Sequence, residues 1–113
     1  MAVTLIIWFL FLHWFADFFC QTDYIAINKG KDLRVLFIHS VTYFLVLWVG
    51  YTIYFYNFPP PIFWLNFSGH FIIDFFTSRI NAKLYEKHRH WFFTMIGFDQ
   101  LLHYALLFFT LKG

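Results

Sequence analysis

The chain has 113 residues, of which 61% are hydrophobic and 27% aromatic, and its net charge at pH 7 is only +2. A soluble domain of this length cannot bury so much apolar surface, so the composition is typical of a membrane protein. The single cysteine, Cys20, excludes an internal disulfide.

Four apolar runs follow one another along the chain, each near the roughly 20 residues that cross a bilayer core. They predict helices at about 2–21, 34–56, 62–79 and 91–111. The connecting segments are short, and one of them contains three consecutive prolines at 59–61, so successive helices should pack antiparallel. The sequence therefore predicts an all-α fold, an integral membrane four-helix up-down-up-down bundle, with residues 1–113 forming one transmembrane domain.

Basic residues are concentrated on one side of this predicted bundle. Lys112 lies on one side, and the other Lys and Arg residues lie at the opposite side, at positions Lys29, Lys31, Arg34, Arg79, Lys83, Lys87 and Arg89. The positive-inside bias makes those loops cytoplasmic and places both termini outside. We interpret the charges first as topology signals and lipid contacts, and second as a substrate-binding surface. Nucleic-acid binding is not expected, because most of these charges lie against the membrane and no recognition motif accompanies them.

Histidine and aspartate recur four residues apart inside the apolar runs. The pairs are His13 and Asp17, His70 and Asp74, and, in reverse order, Asp99 and His103. Residues four apart share one face of a helix. The second run carries a lone His39. At about 1.5 Å per residue, every helix brings an ionisable group to within roughly 6 to 12 Å of its predicted cytoplasmic end.

The first and third helices also share a longer phrase. His-x3-Asp-Phe-Phe begins at His13 and again at His70, 57 residues later (70 − 13). The two helices are expected to run in the same direction, so two helical hairpins related by an axis along the membrane normal would give this pattern. The phrase therefore suggests a two-hairpin pseudo-repeat.

Four imidazoles and three carboxylates at one depth are a plausible ligand set for a divalent metal such as Zn, Mn, Fe or Ni. The predicted ligands are His13, Asp17, His39, His70, Asp74, Asp99 and His103. A single zinc takes three or four ligands, so the set implies either two ions or one ion whose histidines are oriented by further carboxylates. A bound cation would also offset the cost of burying three carboxylates.

Two other interpretations of these residues remain open. Histidine and aspartate can pair with one another and with neighbours in helical register as interhelical polar contacts, the neighbours being Gln21, Tyr43 and Asn66. A haem bundle needs facing axial histidines and space between them, and it fits less well beside three carboxylates and bulky aromatic residues.

The full set of motifs resembles a known family. They are the opening His13-x3-Asp17-x3-Gln21-Thr-Asp23, the lone His39, the central His70-x3-Asp74 and the closing Asp99-Gln100-x2-His103. The combination is similar to a family of small bacterial and phage multi-pass membrane proteins of unknown function, and it covers nearly the whole chain. The resemblance implies a prokaryotic or phage inner-membrane protein and implies no activity.

The leading functional hypothesis is a metal-dependent membrane hydrolase. One or two divalent ions would activate water, and Asp99 would serve as general base. The expected substrate is an anionic lipid or lipid-like phosphoester or acyl compound, whose head group would meet Arg34, Arg79 or Arg89. One alternative is a metal-ion or proton transporter or sensor, which would require a homo-oligomer because four helices leave little room for a pathway. Another is a non-catalytic membrane protein whose polar core is structural.

Overall fold

The structure, a computed structural model, describes residues 2–112. Within this part of the chain five α-helices follow one another: α1 Val3–Trp14, α2 Asp23–Asn28, α3 Leu33–Phe55, α4 Leu65–Leu84 and α5 Arg89–Lys112. A π-helical turn, Phe15–Phe19, continues α1, and a 3-10 turn, Pro61–Trp64, leads into α4. The predicted all-α class is confirmed.

The four long helices pack antiparallel to their neighbours in sequence. Along α4 and α5, Asn66 contacts Thr110 at one end and Thr77 contacts Asp99 towards the other. The first helix and its π-helical turn run antiparallel to α3 in the same way. Trp8 contacts Gly50 at one end, and Asp17 contacts His39 towards the other. The second pair of each set lies towards the end of the bundle that carries the basic loops.

Local signals explain where α2 and α3 begin and where α3 ends. Thr22 Oγ1 accepts a hydrogen bond from the backbone N–H of Ile25 and caps α2. Asp32 Oδ1 accepts one from the backbone N–H of Arg34 at 2.9 Å and caps α3. Tyr56 ends α3 with a left-handed backbone, at φ 52°, immediately before the proline segment.

Two boundaries differ from the prediction. The segment after the first apolar run was predicted to be a loop, but it folds into the short helix α2, because Thr22 supplies a cap. The third helix was predicted over 62–79, but α4 continues to Leu84. Residues 80–84 contain no glycine or proline, so the helix continues past the point where its sequence becomes polar.

Among residues 2–112, two helices, α3 and α5, are long and apolar enough to cross a membrane, where the sequence predicts four. The apolar helix that starts at Val3 is shorter, and α4 carries inward-facing polar residues. An apolar core that includes Phe9, Leu47, Phe63 and Leu107 fills the half of the bundle away from the basic loops. The side chain of Lys112, predicted on that far side, lies outside the described residues.

Candidate metal centre

Six of the seven predicted ligands come together between the long helices. Four of them, Asp17, His39, His70 and Asp74, each offer one ligand atom, and these atoms lie within 4.8 Å of one another. We call these four residues the first group. The second group consists of Asp17, Asp99 and His103, so that Asp17 belongs to both. All six residues are buried.

In the first group, two imidazoles face two carboxylates. His39 Nε2 is 2.9 Å from Asp17 Oδ1 and 3.3 Å from Asp74 Oδ2. His70 Nε2 is 3.6 Å from each of the same two oxygens. Donor atoms bound to one ion at about 2.0–2.2 Å in tetrahedral geometry lie about 3.3–3.6 Å apart. Three of the four separations match this spacing, and the fourth, at 2.9 Å, is a hydrogen-bond distance.

The second group is joined to the first through carboxylates. The second oxygen of Asp74, Oδ1, is 3.6 Å from His103 Nε2. Asp99 Oδ1 is 3.5 Å from His103 Nδ1 and accepts a hydrogen bond from Thr77 Oγ1 at 2.6 Å. Asp74 thus presents one oxygen to the histidines of the first group and the other to His103.

Two buried imidazole nitrogens have no hydrogen-bond partner among the described residues. They are Nε2 of His70 and Nε2 of His103, whose residues are 0% and 1% exposed. His103 Nδ1 lies 2.6 Å from the backbone oxygen of Asp99, and because a carbonyl only accepts, Nδ1 carries the proton. In the neutral imidazole, the lone pair is then on Nε2, the atom that faces Asp74. Metal-ligating histidines are commonly held in this way, so the residues fit a metal ion.

His13 lies beside the two groups, and both of its ring nitrogens are already used. Nδ1 is 3.0 Å from the hydroxyl of Tyr43, and Nε2 donates to Gln100 Oε1. Gln100 Nε2 in turn contacts Asp17 Oδ2 at 3.4 Å and Asp99 Oδ2 at 3.3 Å. His13 is therefore linked to Asp17 in two ways, directly at 3.8 Å between Nε2 and Oδ2 and through Gln100.

Lys29 reaches the site although sequence reasoning assigned it to a cytoplasmic loop. Its Nζ is 3.3 Å from Asp74 Oδ2, and its side chain is only 16% exposed. Burial lowers the pKa of Lys29, but the carboxylates of Asp74 and Asp17 outweigh it, so the pKa lies above its ordinary value. Gly30 allows this approach, because an added Cβ would lie 3.0 Å from the backbone oxygen of Ser78.

A cavity of about 820 Å³ leads from the basic loops to the carboxylates. Its mouth is lined by the exposed Lys31, Lys83, Glu86 and Lys87. Lys29 lies between the mouth and a floor formed by Asp17, Asp74 and Asp99. The site is therefore reached from the side of the bundle that carries the basic loops.

Among the described residues, the three arginines expected to meet an anionic head group do not line the cavity. Arg34 pairs with Asp32 at 3.6 Å and is exposed. The guanidinium of Arg79 lies 3.8 Å from the ring centre of Phe75. Arg89 lies over the ring of Tyr85. Each arginine folds back on its own neighbours in the chain, and lysines line the cavity instead.

Comparison with known proteins gives a family and no activity. No curated protein and no solved structure shows a significant match to the chain. The profile of one family, described as "protein of unknown function (DUF3307)", matches residues 5–112. This agrees with the resemblance to an uncharacterised family seen in the motifs. The chain belongs to the DUF3307 family.

Proposed function

We propose that this chain is a small bacterial or phage inner-membrane protein that crosses the bilayer four times and uses a buried divalent-metal centre to hydrolyse a substrate. The ligands are the first group together with His103, and Asp99 is the carboxylate of the second group that stays free to act as a base. The carrying observation is the pair of buried, unpartnered Nε2 atoms on His70 and His103, each facing carboxylate oxygens at 3.6 Å.

The exterior of the molecule supports four crossings. The outer faces of α1 and α4 expose large apolar residues, such as Ile7 at 61% and Phe11 at 48% on α1, and Ile72 at 56% and Phe76 at 59% on α4. The histidines and the aspartate of these two helices, His13, His70 and Asp74, are buried. Contiguous apolar surface of this kind is costly in water and is stable against lipid. The basic loops then lie on the cytoplasmic side, with both termini outside.

Purely structural pairing of histidine with aspartate explains the site less well. In a structural polar network every buried polar atom is expected to find a partner, and an unpaired one costs about 1–3 kcal/mol. His70 and His103 each have one unpaired nitrogen inside the cluster. A metal ion would satisfy both nitrogens and offset the charge of the carboxylates.

The donor set suits Zn, or Mn or Fe, and accommodates two ions. Asp17 belongs to both groups, and the two oxygens of Asp74 face different histidines. Two bridging carboxylates between helices are a known arrangement in helical bundles that hold paired metals. We therefore favour two ions, with Asp17 and Asp74 shared between them.

A divalent ion at this position supplies Lewis acidity and lowers the pKa of water towards neutrality. The chain's own contribution is to hold a base beside that water. Asp99 fits this role, because its side chain is 12% exposed against 4% for Asp17 and 1% for Asp74, and it lines the cavity. Thr77 and Gln100 donate hydrogen bonds to its two oxygens and fix its orientation.

We favour hydrolysis over transport because of where the apolar core lies. In the part of the chain that the structure describes, the cavity opens towards the basic loops, and the apolar core that includes Phe9, Leu47 and Leu107 packs on the opposite side of the histidines. A site entered from the side of the basic loops suits an enzyme, whereas a transporter needs access from both sides.

Elemental analysis of the detergent-purified protein tests the proposal. We expect one to two ions per chain in the wild type and a large loss in His70→Ala. His88→Ala, at an exposed histidine outside the cluster, is the matched control. A metal content below about 0.2 per chain in the wild type, unchanged in His70→Ala, would overturn the metal centre. Ion flux through proteoliposomes containing the metal-loaded protein would instead overturn the hydrolase.

A further inference from the structure

We propose that the cavity above the metal centre binds a phosphoryl group, held between Lys29 and the metal site, and that the substrate is a phosphomonoester. This inference rests on the proposed metal centre and adds the substrate class. It concerns the lysines and amides of the cavity, which the metal centre itself does not require.

The first argument comes from charge. Four lysines and four carboxylate side chains line the cavity, so their formal charges cancel. Each divalent ion adds two positive charges at the floor. The loaded cavity is then strongly cationic, in a partly dehydrated space where charges act strongly. Such a cavity selects a ligand with more than one negative charge, as a phosphomonoester has.

The second argument comes from the position of Lys29. Its ammonium group lies 3.3 Å from Asp74 Oδ2, the same oxygen that belongs to the first metal group. When an ion compensates the charge of Asp74, the ammonium no longer needs this carboxylate as its partner. Lys29 lines the cavity, so an ammonium repelled by the ion would remain within reach of a phosphoryl group bound there.

The third argument comes from two unused amide groups. Gln21 and Asn81 both line the cavity, and the side-chain oxygen of each is buried without a hydrogen-bond partner among the described residues. Buried amides of this kind normally find a partner. Hydroxyl groups on the organic part of a phosphomonoester would supply donors to them. A volume of about 820 Å³ accommodates a molecule of head-group size.

The reaction balances with the groups named. The oxygen of water forms a bond to phosphorus, and the bond between phosphorus and the alkoxy oxygen breaks. One proton of the water passes to the Asp99 carboxylate and then to the leaving alkoxide, which becomes an alcohol. The products are the alcohol and inorganic phosphate, and no oxidant or reductant is needed.

Binding of inorganic phosphate to the Mn²⁺-loaded protein in detergent tests the inference without relying on turnover. Paramagnetic Mn²⁺ broadens the phosphorus NMR signal of a phosphate that binds beside it. We expect broadening in the wild type, and in Lys29→Met we expect affinity to fall by about tenfold or more while the metal content is retained. Lys29→Arg should keep most of the affinity. Arg34→Met, which removes an exposed cation from the same region, is the matched control and should bind as the wild type does.

Two outcomes would overturn the inference while leaving the metal centre in place: no broadening in wild-type protein that carries Mn²⁺, or equal affinity in Lys29→Met and the wild type. If Lys29→Met does not fold, the measurement on the wild type decides the inference by itself. A wild-type protein without metal would overturn the proposed function as well, and elemental analysis separates that case.

Competition against phosphate identifies the source of the phosphoryl group. Glycerol phosphate represents soluble esters, and short-chain phosphatidic acid in the same detergent represents lipids. Competition by both indicates recognition of the phosphoryl group alone, and competition by phosphatidic acid alone indicates a lipid head group. Competition by neither would contradict a phosphomonoester substrate.

Discussion

Asp17 Oδ1 and His39 Nε2 lie 2.9 Å apart, although 22 residues separate them in sequence and they belong to different helical segments. Asp17 comes from the π-helical turn that follows α1, and His39 comes from the second turn of α3. The contact joins the first hairpin across its interior. Because Asp17 also belongs to the second group, this one carboxylate connects both candidate metal positions.

The shared position of Asp17 predicts different metal contents for two variants. Asp17→Asn should lose most of the metal from both groups, because an amide is a poor bridging ligand. His103→Ala should retain about one ion, at the first group. Elemental analysis of both variants checks this. Asp23→Asn, at an exposed carboxylate at the start of α2, is the control and should match the wild type. Equal contents in Asp17→Asn and His103→Ala would contradict the two-group arrangement.

His13 was predicted to be a metal ligand, and its contacts instead favour a supporting role. His13→Asn should retain metal, but its affinity should fall by about 10- to 100-fold because Gln100 loses the partner that orients it towards Asp17. Competition with a chelator of known affinity measures the change. A metal loss as complete as that of His70→Ala would show that His13 is itself a ligand.

Asp99→Asn separates metal binding from hydrolysis. We expect the ion at the first group to remain, since Asp99 is not among its four ligands. Hydrolysis of a soluble phosphomonoester should fall by about 10²- to 10⁴-fold, because the amide cannot accept the proton from water. The rate and the metal content are measured on the same preparation. A rate that follows metal content alone would assign Asp99 to ligation and not to proton transfer.

Close packing of α1 on α3 depends on Gly50. A Cβ added there would lie 2.1 Å from Leu12 Cδ1 and 3.0 Å from Leu12 Cγ. Gly50→Ala should therefore destabilise the protein by about 1–3 kcal/mol through overpacking. Gly97→Ala is the matched control, because a Cβ at that helical position meets nothing within 4 Å. Thermal unfolding in one detergent compares the two. A Gly50→Ala variant as stable as Gly97→Ala would contradict this packing.

The proposed orientation is tested by reporter fusions. Alkaline phosphatase requires disulfides, which form outside the cytoplasm, so a fusion after residue 113 should be active. A fusion after residue 86, between α4 and α5, should be inactive. Activity of the second fusion and not the first would reverse the orientation. Activity of neither or both would contradict the crossing of the membrane by α5.

The helical class and the gathering of ionisable groups followed from the sequence because both depend on local spacing. Residues four apart share a helix face, and short connections force neighbouring helices to run antiparallel. With each helix anchored at a basic end, counting residues places Asp17, His39 and Asp74 at one depth. These are the residues that the structure brings within reach of one another.

Other parts of the site depend on rotation and on tertiary contacts, which spacing does not reveal. Gln100 follows Asp99 directly, so the two side chains point about 100° apart around α5. Both still face the site. Gln100 of α5 contacts His13 of α1, and Asp99 of α5 accepts a hydrogen bond from Thr77 of α4. Lys29 was predicted to be a topology signal in a cytoplasmic loop. No local pattern in the sequence indicates that α2 brings its side chain to Asp74.

The contact between Lys29 and Asp74 has a consequence for assembly. Three carboxylates inside a bundle would repel one another if the chain folded without a counter-charge. Lys29 provides one from within the same chain, delivered by the loop that joins the first two long helices. Under the proposed function, this internal counter-charge lets the chain fold before it binds metal, and the ions would enter afterwards through the cavity that Lys29 lines. Folding would then not depend on the supply of metal.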